Sequence, residues 1–323
     1  MGRVELDFDK LYQWWVILGK PNREFIRSMP NEELPTSKGV LEAYLPLFVE
    51  ESRGTKKKPI IIPNFDEKEE SSIVVASDFH IPFEDKEAVR CFLNFLAEYQ
   101  PDELVLNGNI NDCTSFSTHP RIRELSATLK DGKEELKQWF KFADCLRELL
   151  PNTKITYIGS QCHEGWIDNW VQQSPILIED ERYTIPGWFR LDEYSIEYEP
   201  EYYDLLGNKE LIITHGTVAR SKGGNSAYAT MEMEGTSIIQ GHTHRLAQVY
   251  KTTGLGETVA IEGGCLCQRT PWYHLKGRRL MMDWQQGFVL VNTKGNSFST
   301  QIIPIIRNDE DKPYFWIGKE RYK

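Results

Sequence analysis

The run Ile73-Val74-Val75-Ala76-Ser77-Asp78-Phe79-His80 decides how the rest of the chain is read. Four apolar, mostly β-branched residues form a short strand, and Asp78 and His80 follow at once, where a strand hands over to a loop. The same unit recurs four times. Leu104-Val105-Leu106 leads to Gly108-Asn109-Ile110-Asn111-Asp112. Ile155-Thr156-Tyr157-Ile158 leads to Gly159-Ser160-Gln161-Cys162-His163-Glu164. Leu211-Ile212-Ile213 leads to Thr214-His215-Gly216, and Ser237-Ile238-Ile239 to Gly241-His242-Thr243-His244-Arg245. Helical patterns at 87–99 and 133–150 separate several of these runs, and further strands are expected at 259–262, 288–292 and 298–305. Strands alternating with helices predict an α/β layered domain.

Five strand ends in succession thus deliver Asp, His, Asn or Cys. In open α/β sheets the ligand crevice lies outside the carboxyl ends of the strands, so the five clusters are expected to converge. Imidazole with carboxylate and amide oxygen suits Mn, Fe, Zn or Ni. Four candidate histidines (His80, His215, His242, His244) exceed the usual complement of one open catalytic site, so two metals are the economical reading. One such word after a strand is more often structural than ligating; five in order are hard to ascribe to coincidence.

In that order the words resemble the calcineurin-like metallophosphoesterase superfamily, whose pattern is D-x-H, G-D-x-x-D, G-N-H-E/D, H, then G-H-x-H. The resemblance covers roughly residues 71–305. With Ser221-Lys222-Gly223-Gly224 and Asp283-Trp284-Gln285-Gln286-Gly287-Phe288, it is similar to members encoded by phages and mobile elements. The resemblance implies a layered sandwich of two mixed β-sheets flanked by helices. It gives Asp78, His80 and His244 to a first metal and His215 and His242 to a second. Asn109 stands where the metal-bridging aspartate belongs, and Cys162 where an asparagine binds the second metal. His163 matches the general acid or phosphate-contacting histidine, with Asp112 orienting and charge-stabilising it.

Two departures matter. Asn109 is neutral and lacks a second equivalent oxygen, so the metal pair is expected to bind more weakly, or one site to stay empty. Cys162 lies in a loop two residues longer between Gly and His than the pattern. Its thiolate is a soft ligand favouring Zn or Fe. Alternatively Gln161 supplies the amide oxygen and Cys162 is inert, the reading preferred because Mn-type sites favour oxygen.

The implied activity is hydrolysis of a phosphate ester by a metal-activated water, in a phosphodiesterase, nuclease or phosphatase, with His163 protonating the leaving oxygen. Two divalent ions are implied, Mn first, with Zn, Fe and Ni as alternatives. The substrate is a phosphate ester, a nucleotide or single-stranded nucleic acid among the candidates. Arg245, next to the His242/His244 pair, and Gln161 are the candidate substrate contacts. The rival is a catalytically inactive binding or scaffold protein, disabled at Asn109 and Cys162. Retention of Asp78, His80, Asp112, His163, His215, His242 and His244 together argues for the enzyme.

Outside these words the chain carries less chemistry. Residues 1–70 read as an N-terminal helical extension and linker, able to dock a protein partner; 71–308 as the metallophosphoesterase domain; 309–323 as a tail. The loop at 269–279 mixes aromatic and basic residues, as a nucleotide-holding loop or a plain surface loop would. The Cys265–Cys267 spacing is assigned to strand packing. Of 323 residues, 38 are Lys or Arg and 48 Asp or Glu, a net charge of −10. Most of the acidity lies in 71–210 (13 basic, 26 acidic), while 211–323 carries 14 basic against 9 acidic. That balance argues against a duplex-coating protein but not against a phosphate pocket. No apolar run approaches the ~18 residues of a membrane span. The six scattered cysteines, none in a CxxC pair, suit a reducing cytoplasm.

Overall fold

The computed structural model describes residues 70–117, 132–173, 175–254, 256–269 and 282–323. The N-terminal extension and nearly all of the aromatic-basic loop lie outside the described residues. In chain order the elements are β1 (Glu70–Ala76), α1 (Lys86–Tyr99), β2 (Glu103–Asn107), α2 (Gly132–Leu149), β3 (Lys154–Ile158), α3 (Gly165–Gln172), α4 (Ile185–Phe189), β4 (Ile196–Glu199), β5 (Tyr202–Asp204), β6 (Leu211–Thr214), α5 (Asn225–Glu234) and β7 (Ser237–Gln240). Then come β8 (Leu246–Thr253), β9 (Gly256–Gly263), β10 (Gly287–Lys294), β11 (Ser297–Pro304), β12 (Ile306–Arg307), β13 (Pro313–Ile317) and β14 (Glu320–Tyr322).

Two mixed sheets form the body. The first has the order β11-β10-β1-β2-β3-β4, with β1 to β4 parallel and β10 and β11 antiparallel at one edge. The second runs β5-β6-β7-β9-β8, with β6, β7 and β9 parallel between antiparallel edges. Side chains alternate across each strand, and the apolar runs use both faces. Ile73 and Val75 point one way, into a layer shared with Val105, Ile158, Ile213, Ile239 and Ile261 from both sheets. Val74 and Ala76 point the other way, against Phe92 and Phe95 of α1. Behind the second sheet, Ile212, Ile238 and Ala260 pack on Ala227 and Met231 of α5. The expected sandwich is therefore present, and burying each such aliphatic side chain contributes roughly 1.5–3 kcal/mol.

The helices have local reasons. Asp85 accepts the Ala88 N–H at the start of α1, and Gln100 closes that helix in the left-handed conformation. Residues 309–323, set apart above as a tail, are instead built in: β13 and β14 pair, and Phe315 is buried with its ring 5.5 Å from Phe95 and 5.1 Å from Phe288. No helix among the described residues is long and apolar enough to cross a membrane.

Candidate metal centre

The turns leaving β1, β2, β3, β6 and β7 bring their polar residues together at the carboxyl ends of the parallel strands. Asp78, His80, Asn109, His242 and His244 all have left-handed backbones, with φ between 48° and 71°. Each such residue costs on the order of 1–3 kcal/mol and persists only where its surroundings hold it. Here hydrogen bonds do so: Asp78 N–H to Gly108 O, His80 N–H to Asn109 O, and His242 N–H to Asp78 Oδ2 at 2.9 Å. Gly108 (φ +68°) lies so close to His215 that a Cβ would stand 2.5 Å from the imidazole.

The side chains fall into two clusters. In the first, Asp78 Oδ1 lies 3.0 Å from His244 Nε2 and 3.6 Å from His80 Nε2, and the two imidazole nitrogens are 3.1 Å apart. In the second, Cys162 Sγ lies 3.5 Å from His215 Nε2 and 3.7 Å from His242 Nδ1. Asn109 stands between them. Its Nδ2 donates to Asp78 Oδ1 at 3.2 Å, and its Oδ1 accepts from the Cys162 thiol at 3.2 Å. Asp78 Oδ1 also reaches His215 Nε2 at 3.9 Å.

The outer partners fix which imidazole nitrogen faces inward. His80 Nδ1 donates to Asp112 Oδ2 at 2.8 Å and His215 Nδ1 to the Asn107 carbonyl at 3.0 Å. With those outer contacts made through Nδ1, the first cluster gathers a carboxylate oxygen and the Nε2 atoms of two imidazoles around one point. Such a convergence calls for a cation, and each cluster offers three ligand atoms within 4.8 Å of one another. The donor set fits a divalent metal in both places.

The electrostatics agree. Burial would raise the Asp78 carboxyl, yet the imidazoles of His244 and His215 bring it well below the usual range. Burial would lower His80, but its hydrogen bonds to Asp112 and Asp78 lift it to about 10. Burial likewise opposes charge on His215, and Asp78 and Cys162 raise it to about 9. The Cys162 thiol, which burial pushes up, is drawn down to about 3 chiefly by His215.

Of the residues expected at the site, Asp78, His80, Asn109, Cys162, His215, His242 and His244 meet. Cys162 contacts both histidines, while Gln161 is exposed and lines, with His215, Tyr202 and Met233, an adjoining cavity of about 580 Å³. Asp112 hydrogen-bonds His163 through its backbone and faces it as a charge through its carboxylate. Its carboxylate belongs to His80, and His163 Nδ1 donates to the Asp112 backbone carbonyl at 2.7 Å, 3.7 Å from the carboxylate. His163 also packs on Trp166, ring centroids 4.5 Å apart. Arg245 is tied to Asp283 at 3.1 Å and to the Arg220 carbonyl at 2.6 Å, neither a member of the two clusters.

Several supporting residues have no role assigned from sequence, although Glu164 fills the E/D place of the resembled pattern and Trp284 lies in one of its words. Glu164, fully buried, accepts the N–H groups of Asn109, Ile110 and Asn111 together with the Tyr157 and Ser160 hydroxyls, and so sets the turn that carries Asn109. Glu262, also fully buried, accepts Thr243 Oγ1 and the Ser226 N–H at the start of α5, both at 3.0 Å, fixing the turn between His242 and His244. Asn107 Nδ2 donates to the Thr214 carbonyl and stitches the first sheet to the second beside His215. Trp284 lies against His244, ring centroids 4.1 Å apart. Cys265 and Cys267 do more than fill a strand: both are buried and Cys267 Sγ is 3.8 Å from His244 Nδ1.

No family model matches the chain. Gene 54 protein of Mycobacterium phage L5 is 29% identical over 245 residues, which span 72% of this chain and 93% of that protein. Among solved structures, Vps29 of Chaetomium thermophilum is similar at 12% identity and a TM-score of 0.40, over 78% of this chain and 97% of that one. Yfce, a phosphoesterase from E. coli, is similar at 16% identity and a TM-score of 0.32, over 71% and 98%.

Proposed function

We propose that the chain is a metal-dependent phosphoesterase of the calcineurin-like metallophosphoesterase type. One observation carries this: two three-ligand clusters meet across Asp78 and Asn109, with a hydrogen-bonded histidine, His163, beside them. Divalent ions held there supply an acidified water and a clamp for phosphoryl oxygens. The chain's own part is to place and to protonate. The Asp112 carbonyl accepts the hydrogen bond from His163 Nδ1, which leaves Nε2 for the leaving oxygen; as an imidazolium the ring would give that oxygen its Nε2 proton and keep the one on Nδ1. Trp166 holds the ring from one side and the edge of His80 from the other. The cavity lined by Gln161, His215, Tyr202 and Met233 takes the organic half of the ester, at nucleotide scale. Gln161 remains a substrate contact, whereas Arg245 would have to leave Asp283 or the Arg220 carbonyl to meet a phosphate. The same reading keeps residues 1–70 as an extension for a protein partner and the cytoplasm as the place of work.

A second reading has one observation in its favour. Asn109 turns its NH2 to Asp78 and its oxygen to Cys162, so it does not bridge, and a binding protein with one weak metal would look the same there. Mn-dependent hydrolysis of bis-p-nitrophenyl phosphate and p-nitrophenyl phosphate, with metal stoichiometry, separates the two. Turnover by the wild type, falling by about 10²–10⁴ in His163→Gln, supports the enzyme. Turnover only in Asn109→Asp assigns the second reading to this chain. Absence of both metal and turnover in both forms sinks the proposal.

A further inference from the structure

The two clusters differ in chemistry and in dimensions. The first offers a carboxylate and two imidazoles; the second offers sulfur and two imidazoles. A tetrahedral zinc ion binds sulfur at about 2.3 Å and nitrogen at about 2.0–2.1 Å, so the edge from sulfur to nitrogen of its tetrahedron measures about 3.6 Å. The corresponding separations here are 3.5 Å to His215 and 3.7 Å to His242. In the first cluster two edges measure 3.0 and 3.1 Å, with the third wider at 3.6 Å. Cis ligands on a six-coordinate ion at about 2.1 Å lie about 3.0 Å apart, tighter than any edge of the sulfur tetrahedron.

Asn109 sharpens the difference. A neutral amide ligates through oxygen, and that oxygen faces Cys162 while the NH2 faces Asp78. As a ligand it can belong only to the second cluster, where it supplies a fourth donor. Without Cys162 that cluster would hold two neutral imidazoles and an amide. Cys162 is its one anionic donor among the described residues. Thiolate selects thiophilic ions, and carboxylate with imidazole accommodates harder ones.

We propose, on the footing of the metal-dependent reading above, that the centre is mixed: Asp78, His80 and His244 take a hard six-coordinate ion of the Mn²⁺ class, and Cys162, His215 and His242 take a tetrahedral thiophilic ion of the Zn²⁺ class. The proton that the Cys162–His215 pair holds is released to solvent as the second ion binds.

The test uses the full chain, stripped with chelator, given one equivalent of Zn²⁺ and then dialysed against a large excess of Mn²⁺, because a carboxylate-imidazole site at equal concentrations also prefers Zn²⁺. Elemental analysis is expected to return one of each per chain. Adding Co²⁺ in place of Zn²⁺ should give a thiolate-to-cobalt charge-transfer band with intense tetrahedral d–d absorption. Both should vanish in Cys162→Asn, and Zn²⁺ affinity should fall by more than the ~10–100-fold that loss of an outer partner costs. A band that survives in Cys162→Asn would place the sulfur ligand at Cys265 or Cys267 and overturn the proposal, as would two Mn²⁺ per chain with no retained Zn²⁺. Should the variant not fold, wild-type alkylation decides. Zn²⁺ but not Mn²⁺ should protect the Cys162 peptide from iodoacetamide, and equal protection refutes the assignment. Two bound ions of one kind defeat only the mixed centre; absence of all metal binding defeats the phosphoesterase reading as well.

Discussion

Asn109→Asp should weaken the metal-free protein and strengthen the metal-loaded one. Asn109 Nδ2 donates to Asp78 Oδ1 at 3.2 Å, with both residues buried. Aspartate there replaces a donor by a second carboxylate at about the same distance. At an effective dielectric of about 20 the repulsion is ~5 kcal/mol. Protonation caps the cost, since lifting a carboxyl from about 4 to 7 takes ~4 kcal/mol. The positive charge that His80 and His215 carry removes part of what is left. A net loss of ~2–4 kcal/mol should lower the metal-free Tm by roughly 5–10 °C. The pair's raised carboxyl keeps its proton at low pH, so the penalty is small near pH 5 and grows as pH rises toward 7. With metal the order reverses. A 100-fold tighter ion adds ~2.7 kcal/mol at saturating concentration, and the variant should gain more from Mn²⁺ than the wild type does. Calorimetry at pH 5 and 7, with and without Mn²⁺, reads all four corners. If the metal-free variant melts with the wild type at pH 7 and both gain equally from Mn²⁺, position 109 does not stand between the clusters as described.

Three further outcomes follow from single contacts. Gly108→Ala places a methyl 2.5 Å from the His215 ring at φ +68°; it should cost ~2–4 kcal/mol and, by elemental analysis, lose the second ion while keeping the first. Asp112→Asn removes the carboxylate that orients His80; titration calorimetry should show metal affinity down by ~10–100-fold, and unchanged affinity would remove Asp112 from the centre. Burial, then the Asp112 carboxylate, holds Glu135 well above the usual 4.5, with the Cys113 N–H pulling the other way. A carboxyl raised in the folded state stabilises fully below about 4.5 and loses that contribution as pH climbs toward the folded value. Glu135→Gln keeps the amide oxygen for Cys113 and escapes that loss, so its Tm advantage should widen between pH 5 and 8; a flat difference refutes it.

The layered fold was legible because β1, β2, β3, β6 and β7 are apolar runs buried on both faces. The residues that gather in the two clusters were legible because each follows one of those runs closely. Of the edge strands, β11 was expected at 298–305 but β4 and β8 were not: β4 is Ile-Glu-Tyr-Glu and β8 is largely half-exposed, so neither has an apolar run to read. Phe315 was missed because its partners, Phe95 and Phe288, are remote in sequence. Glu164 and Glu262 look like ordinary acids until the turns they hold are assembled around them. The preference for Gln161 over Cys162 rested on the oxygen affinity of one metal; that folding aims the sulfur at two imidazoles is not readable from the order of residues in the loop.

The two departures from the resembled pattern, at 109 and 162, each subtract from a metal centre when taken singly. Their side chains touch at 3.2 Å, which makes them one change. Amide for carboxylate at 109 removes one negative charge, and thiolate for amide at 162 returns it, 3.5 Å from His215. On the proposed two-ion reading, the charge of the ligand set would be conserved while its place moved from between the ions to the second ion alone. Contacting residues of this kind should couple by ~0.5–3 kcal/mol. Cys162→Asn alone should therefore lose the second ion, Asn109→Asp with Cys162→Asn should regain it with Mn²⁺ preferred to Zn²⁺, and additive losses in the double variant would show that the two positions do not compensate.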